Sequence, residues 1–250
     1  MRAMVHHWHG QPPKKKNLFD KISLFLAGVS TMNLEQARHN MIEQQIRTWE
    51  VLDKDVLQTL VAVRREAFVP AAYQTLAFVD TEIPLPEGEN MLSPKLEARL
   101  LQEAAVQPHE SVLEIGAGSG YMAALLSHHA KQVVTVEIEP ELKALAEKNL
   151  VSYGIGNVNV ALGDGARGWT GSGSQAFDVI MISGSLPVMP DAFLRQLRVG
   201  GRILAVIGEA PVMSACKITR MSEDAWDTEK LFETSIKALR NAEKPMAFRF

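Results

Sequence analysis

The sequence predicts an α/β fold in which a doubly wound, mostly parallel sheet carries an antiparallel strand near its C-terminal end. Three observations lead to its parallel part. Short apolar runs at Val112–Ile115, Gln132–Val136 and Val158–Leu162 alternate with helical patterns, as a parallel sheet with crossover helices requires. The first run stops at Gly116-Ala117-Gly118-Ser119-Gly120, where glycines allow positive φ, and Met122–Leu126 then reads as a helix start. Phe177-Asp178-Val179-Ile180-Met181-Ile182 is apolar almost throughout, as expected of a central strand buried on both faces.

The elements follow in chain order. Asn33 can cap a first helix with Gln36 three residues on, and Leu34, Ala37, Met41, Ile42 and Ile46 recur at helical spacing to about Arg47. Asp53 can cap a second, with Val56, Leu57, Leu60, Val61 and Arg64 on one side and an end expected near Phe68-Val69-Pro70. A short helical piece over Ala71 to Leu76 follows. Two prolines and a glycine between Asp80 and Glu89 make that stretch a loop or short edge hairpin. Ser93-Pro94 reads as an N-cap followed by proline at the first helical position, and Leu96, Leu100, Leu101 and Ala104 form the apolar face of the next helix. Residues of about 33–106 are thus expected to be a helical cover over the sheet edge.

After the glycine turn, Pro140 opens a helix carrying Leu142, Leu145, Ala146 and Leu150, which Gly154 ends. Trp169 to Ser174 is expected to be a flexible surface loop. Ser183-Gly184-Ser185-Leu186-Pro187 falls just past the central strand, where small residues leave room for a substrate. Gly200-Gly201 turns into Arg202–Ile207 as a fifth strand, and the remainder, Met213 to Thr219 and Thr228 to Phe250, reads as two or three strands. Trp226 and the closing Ala247 to Phe250 are expected to finish the core or one edge.

Composition bounds the function. A chain of 250 residues with 46% hydrophobic and 22% charged residues suffices for one α/β domain, here expected over residues 32–250. The formal charge of −3 gives no general attraction to polyanions, so nucleic acid is not the expected partner. No run of 18 or more apolar residues predicts a membrane span. Cys216 is the single cysteine, which excludes an intrachain disulfide, gives no cysteine-based metal framework and suits a reducing cytoplasm. Lys14-Lys15-Lys16 before Leu18–Val29 loosely imitates a signal peptide, but Asp20 and Lys21 interrupt the apolar region. Residues 1–31 are expected to be a disordered or loosely docked extension, and His6, His7 and His9 around Trp8 part of a mobile tail without a metal site.

The strand ends carry the chemistry. Glu137 closes the second strand about 20 residues beyond Gly116, where Rossmann-like folds place a carboxylate on ribose hydroxyls. Asp164, between Gly163 and Gly165, follows the third. A dinucleotide fingerprint would need its third glycine at Tyr121, so that cofactor does not fit. The pattern Glu114-x-Gly116-x-Gly118-x-Gly120 instead resembles the S-adenosyl-L-methionine (SAM) site of the seven-stranded methyltransferases. The resemblance implies that Gly116, Gly118 and Gly120 shape the pocket around the methionine part and that Glu114 sits near its amino group. It also implies Glu137 on the ribose hydroxyls and Asp164 with Gly165 at the adenine.

A wider pattern is more particular. Met41-Ile42 with Gln45-Ile46-Arg47, Arg65-Glu66-Ala67-Phe68-Val69-Pro70, Ala77 to Asp80 with Ile83-Pro84-Leu85, Gly163-Asp164-Gly165 through Trp169, and Leu197 through Arg202 resemble the protein-L-isoaspartate (D-aspartate) O-methyltransferase family. The match runs over about residues 33 to 210. It implies methyl transfer from SAM, leaving S-adenosyl-L-homocysteine, to the carboxylate of isoaspartyl residues in damaged proteins.

The acceptor loop departs from the family. Where the family reads approximately G-Q-T-I-S-Q-P, this chain has Gly88-Glu89-Asn90-Met91-Leu92-Ser93-Pro94. Leu92 occupies the position of the serine implicated at the reaction centre, and Ser93, one place later, is the candidate catalytic hydroxyl if the loop shifts register. Glu89 adds a negative charge where an anionic substrate should arrive, and like charges oppose binding. Two alternatives therefore stand beside isoaspartyl repair. One is a SAM-dependent enzyme of the same lineage with a different, small or less anionic acceptor. The other is a non-catalytic SAM-binding protein.

Overall fold

The computed structural model describes residues 33–171 and 176–244, so the histidine cluster, the basic and apolar N-terminal segment and the closing Ala247 to Phe250 lie outside the described residues. A first helical segment, α1, runs over 33–40 and continues through a π-helical turn, Met41–Ile46, and a 3-10 turn, Arg47–Trp49. Helix α2 is Lys54–Ala62, and the Asp53 carboxylate accepts hydrogen bonds from the Asp55 and Val56 amides as its cap. It ends six residues before Phe68, earlier than expected. The Tyr153 hydroxyl donates to the Ala62 carbonyl at 2.5 Å and accepts from the Arg64 amide at 2.8 Å, which draws Val63 and Arg64 into extended backbone. Short 3-10 turns follow at Arg65–Ala67 and Ala71–Leu76.

Residues 80–91 form the short hairpin, with β1 (Ile83–Pro84) pairing antiparallel to β2 (Asn90–Met91). Helix α3, Pro94–Ala104, has proline at its first position. Ser93 stands at the N-cap, yet its hydroxyl makes no capping bond. The Leu96 and Glu97 amides instead bond to the Ser93 carbonyl, each at 3.1 Å.

One seven-stranded sheet has the order β5-β4-β3-β6-β7-β8-β9, where β3 is Ser111–Ile115, β4 Gln132–Glu137, β5 Val158–Leu162, β6 Phe177–Leu186, β7 Leu197–Glu209, β8 Val212–Ser222 and β9 Ala225–Glu233. Pairing is parallel from β5 through β7, and β8 is antiparallel to both neighbours. Helices α4 (Tyr121–Ser127) and α5 (Pro140–Ser152) complete the crossovers, with α6 (Asp191–Gln196) between β6 and β7.

The sheet is buried on both faces. Val112, Val179, Met181, Leu204 and Val206 join α1 to α5 in one core, while Leu113, Ile180, Ile182, Ile203 and Ala205 pack with Phe193 of α6 in the other. That alternation is the period of two that a strand imposes on successive side chains. Trp169 does not lie in a free loop. It packs against the second core, and Gln196 both accepts from its amide and donates to its carbonyl. Trp226, in β9, joins the same core.

Candidate functional site

The C-terminal ends of β3, β4 and β5 converge on one open pocket, which encloses about 690 Å³ including its mouth. The chain reverses sharply after β3: Gly116, Gly118 and Gly120 have φ of 94°, 53° and 84°, values that an L side chain rarely adopts. The Gly116 amide donates to the Val136 carbonyl at 2.8 Å and the Gly118 amide to Glu137 Oε2 at 2.9 Å, so the turn is tied to the end of β4. Gly116 and Gly118 line the pocket. Gly120 does not: a Cβ there would stand 3.3 Å from the Ala146 backbone, so this glycine lets α4 start close against α5.

Glu137 is buried, and its Oε1 accepts from the Ile138 and Glu139 amides at 2.9 and 3.1 Å. A carboxylate has about four acceptor directions, so Oε2 keeps one for a hydroxyl in the pocket that Glu137 lines. Asp164 accepts from the Ala166 amide at 3.0 Å and from Asn241 Nδ2 at 2.9 Å, with Gly165 beside it on the pocket wall. Ile115, Val136, Ile138 and Leu142 supply apolar surface between these polar groups. An apolar slot flanked by two carboxylates fits the adenosine part of SAM.

Glu114 is fully buried and lies deeper, on the wall of an adjoining cavity. It accepts from Thr135 Oγ1 at 2.7 Å and Ser183 Oγ at 2.8 Å. Burial pushes its pKa up to about 8; the two hydroxyl donors oppose that shift, and the charges of Glu137 and Glu97 add to it. Ser183 reaches Glu114 because β6 runs on to Leu186, four residues past its expected end, with a bulge between Met181 and Ser185.

A roof closes over the pocket from two directions, and sequence reasoning missed half of it. Glu89, Asn90 and Leu92 come from the hairpin, and residues 237–240 come from beyond β9, passing beside the end of β6. Leu239 lies so close to Gly184 that a Cβ there would stand 2.7 Å from Leu239 Cδ2. Lys237 meets Glu89 at 2.8 Å, Arg240 Nε meets Glu89 at 2.7 Å, and a second Arg240 nitrogen meets Glu139. The Glu89 charge is therefore answered by two cations and is not the repulsive element that the sequence suggested. No local spacing signals a pair 148 or 151 residues apart.

The hairpin pairing and one buried side chain fix where Leu92 stands. The hairpin pairs Pro84 with Asn90 and Ile83 with Met91, and the buried Arg65 donates to the Leu92 carbonyl at 2.5 Å. Leu92 lines both cavities and Ser93 lines neither.

Known proteins resemble this chain in sequence and in fold. The model of the family described as protein-L-isoaspartate(D-aspartate) O-methyltransferase matches residues 36–239. The chain belongs to the protein-L-isoaspartate (D-aspartate) O-methyltransferase family. Its relatives include the protein-L-isoaspartate O-methyltransferases of Koribacter versatilis, 37% identical over 79% of this chain and 87% of the relative, and of Protochlamydia amoebophila, 37% identical over 74% and 87%. Among solved structures, one named for such an enzyme from Plasmodium falciparum, in complex with S-adenosyl-L-homocysteine, superposes with a TM-score of 0.70 at 18% identity, covering 80% of this chain and 97% of that one. At that identity the superposition speaks for the fold. The family match extends past β9 to Leu239, so it takes in Lys237 to Leu239 of the roof and stops one residue short of Arg240, although the sequence resemblance reached only to about residue 210.

Proposed function

We propose that the protein methylates the carboxylate of isoaspartyl residues in damaged proteins and peptides, using SAM and beginning the repair of those residues. One observation carries this reading: the glycine turn, Glu137 and Asp164 meet in a single pocket, roofed in part by Glu89, Asn90 and Leu92 of the stretch that the family resemblance marks as the acceptor loop. On this reading Glu137 holds the ribose hydroxyls, Asp164 and Gly165 the adenine, and Gly116, Gly118 and Glu114 the methionine part. Residues of about 33–106 serve as the cover, and the protein works in the cytoplasm. No helix among the described residues is long and apolar enough to cross a membrane.

When bound, SAM supplies a methyl group on a positively charged sulfur. An acceptor carboxylate, with an ordinary pKa near ~4, is already ionised at neutral pH, so no side chain has to act as base. What the chain contributes is positioning and exclusion of water: Leu92 and Leu239 present apolar walls, and the roof is fastened by ion pairs. A hydroxyl at position 92 is absent from this scheme. That favours a second reading, a different acceptor within the same lineage, because Leu92 leaves no donor at the point where the family places one.

The deciding experiment is transfer of labelled methyl from SAM to an isoaspartyl peptide and its aspartyl twin, with SAM binding measured in parallel. Base-labile label on the isoaspartyl peptide alone is the expected result. Binding without transfer would move the weight to another acceptor, and absence of binding would sink the cofactor assignment.

A further inference from the structure

The cavity next to the SAM pocket, about 290 Å³, shares Asn90, Leu92, Gly116, Gly118 and Ser183 with it, so the two adjoin around the glycine turn. Two carboxyl groups face this smaller space. Glu114 is 0% exposed and Glu97, from α3, is 3% exposed. Glu97 interrupts an apolar face formed by Leu96, Leu100, Leu101 and Ala104, all buried. A carboxylate among such neighbours is costly to bury unless something charged answers it.

The partners on the page answer only part of the charge. Arg65, fully buried, donates from Nε to Glu97 Oε2 at 3.2 Å and spends its other nitrogens on the Ala77 and Leu92 carbonyls. Among the described residues the second Glu97 oxygen accepts no hydrogen bond, while Glu114 receives only the neutral hydroxyls of Thr135 and Ser183. With both acids ionised, one guanidinium leaves the cavity short of one positive charge. Burial accordingly pushes Glu97 up to about 7, against the pull of Arg65.

We propose that Glu97, together with Glu114, binds the ammonium group of the methionine part of SAM. The inference rests on the SAM reading above and goes beyond it, since the family resemblance points to Glu114 alone for this end of the cofactor. A primary ammonium carries one positive charge and three donors, which suits a free carboxylate oxygen beside a second acid. Arg65 becomes a positioning residue: it holds Glu97 from behind and the acceptor loop from below, and so couples occupancy of the ammonium site to the place of Leu92.

The test is calorimetric binding to the full chain of three ligands: S-adenosyl-L-homocysteine, its analogue lacking the α-amino group, and 5′-methylthioadenosine, which lacks the whole amino-acid part. In E97Q the affinity for S-adenosyl-L-homocysteine should fall about tenfold or more, the scale of a lost charge-assisted hydrogen bond, while the other two ligands keep theirs. Equal losses for all three ligands would make Glu97 a purely structural residue and overturn the proposal, as would unchanged binding of S-adenosyl-L-homocysteine. The unsubstituted chain gives an independent check, since equal affinity for S-adenosyl-L-homocysteine and its deaminated analogue also overturns it. A chain that binds none of the three would remove the SAM reading itself, an outcome distinct from the others.

Discussion

Leu92 and Glu137 show how much a single position can decide. The Leu92 backbone is fixed by Arg65 and its residue lines both cavities, so Leu92→Ser would bring a hydroxyl to the pocket wall without moving the loop. A hydroxyl that bonds an ionised acceptor contributes roughly 1.5–3 kcal/mol, so kcat/KM for an isoaspartyl peptide should rise about tenfold or more. Unchanged turnover would mean that the missing donor is not what limits this acceptor. Glu137 carries two tasks. It accepts from three backbone amides, that of Gly118 in the glycine turn and those of Ile138 and Glu139 after β4, and lines the pocket. Glu137→Ala should therefore weaken SAM binding by about a hundredfold, through lost hydrogen bonds to the ribose and a loosened turn. Equilibrium binding that matches the unsubstituted chain would disprove the ribose role.

At the scale of elements, the roof joins two pieces of chain that the sequence keeps far apart. Arg240 ties the hairpin to the β4–α5 turn through Glu89 and Glu139, so a bound cofactor should leave only after those ion pairs open. Arg240→Ala should speed dissociation of S-adenosyl-L-homocysteine and flatten its dependence on salt, since exposed pairs are screened by ions. Stopped-flow release at low and high ionic strength reads both, and an identical salt slope in the two chains would rule the latch out. The helices give a simpler case: Asp53→Ala removes the α2 cap and should cost about 1 kcal/mol in chemical denaturation. What was legible in sequence was local. The β3 turn, the acids at successive strand ends and the Asp53 cap each announce themselves within a few residues, because strand periodicity, glycine and capping act at that range. The early end of α2, the docking of Trp169 and the pairing of Glu89 were illegible, because each depends on a partner brought near only by the fold: Tyr153, Gln196, and Lys237 with Arg240. Glu97 left a faint signal, a charge on the buried face of α3.

For the whole molecule, the distribution of buried charge sets how stability responds to pH. Glu110 and Asp178 are held below their ordinary values: against the cost of burial, Arg202 and the Gln107 amide stabilise one carboxylate, and the Ser111 amide and hydroxyl with Arg198 the other. Their contribution is present above the unfolded pKa near ~4 and is lost as the pH falls through the folded values. Burial shifts Glu97 and Glu114 the opposite way, to about 7 and about 8 from 4.5. The folded state then holds protons that the unfolded chain has released, so the stabilisation is complete at acid pH and shrinks as pH rises from about 4.5 towards 8. The two sets together predict a stability maximum on the acid side of neutrality. Glu114→Gln keeps a side chain of the same shape without the titration, so it should flatten the alkaline limb while leaving the acid limb unchanged. Urea denaturation of both chains at pH 5.5, 7 and 8.5, without added ligand, separates the outcomes. A parallel fall in the two chains would show that Glu114 is ionised in the folded protein throughout, and that the charge deficit of the inner cavity is already met.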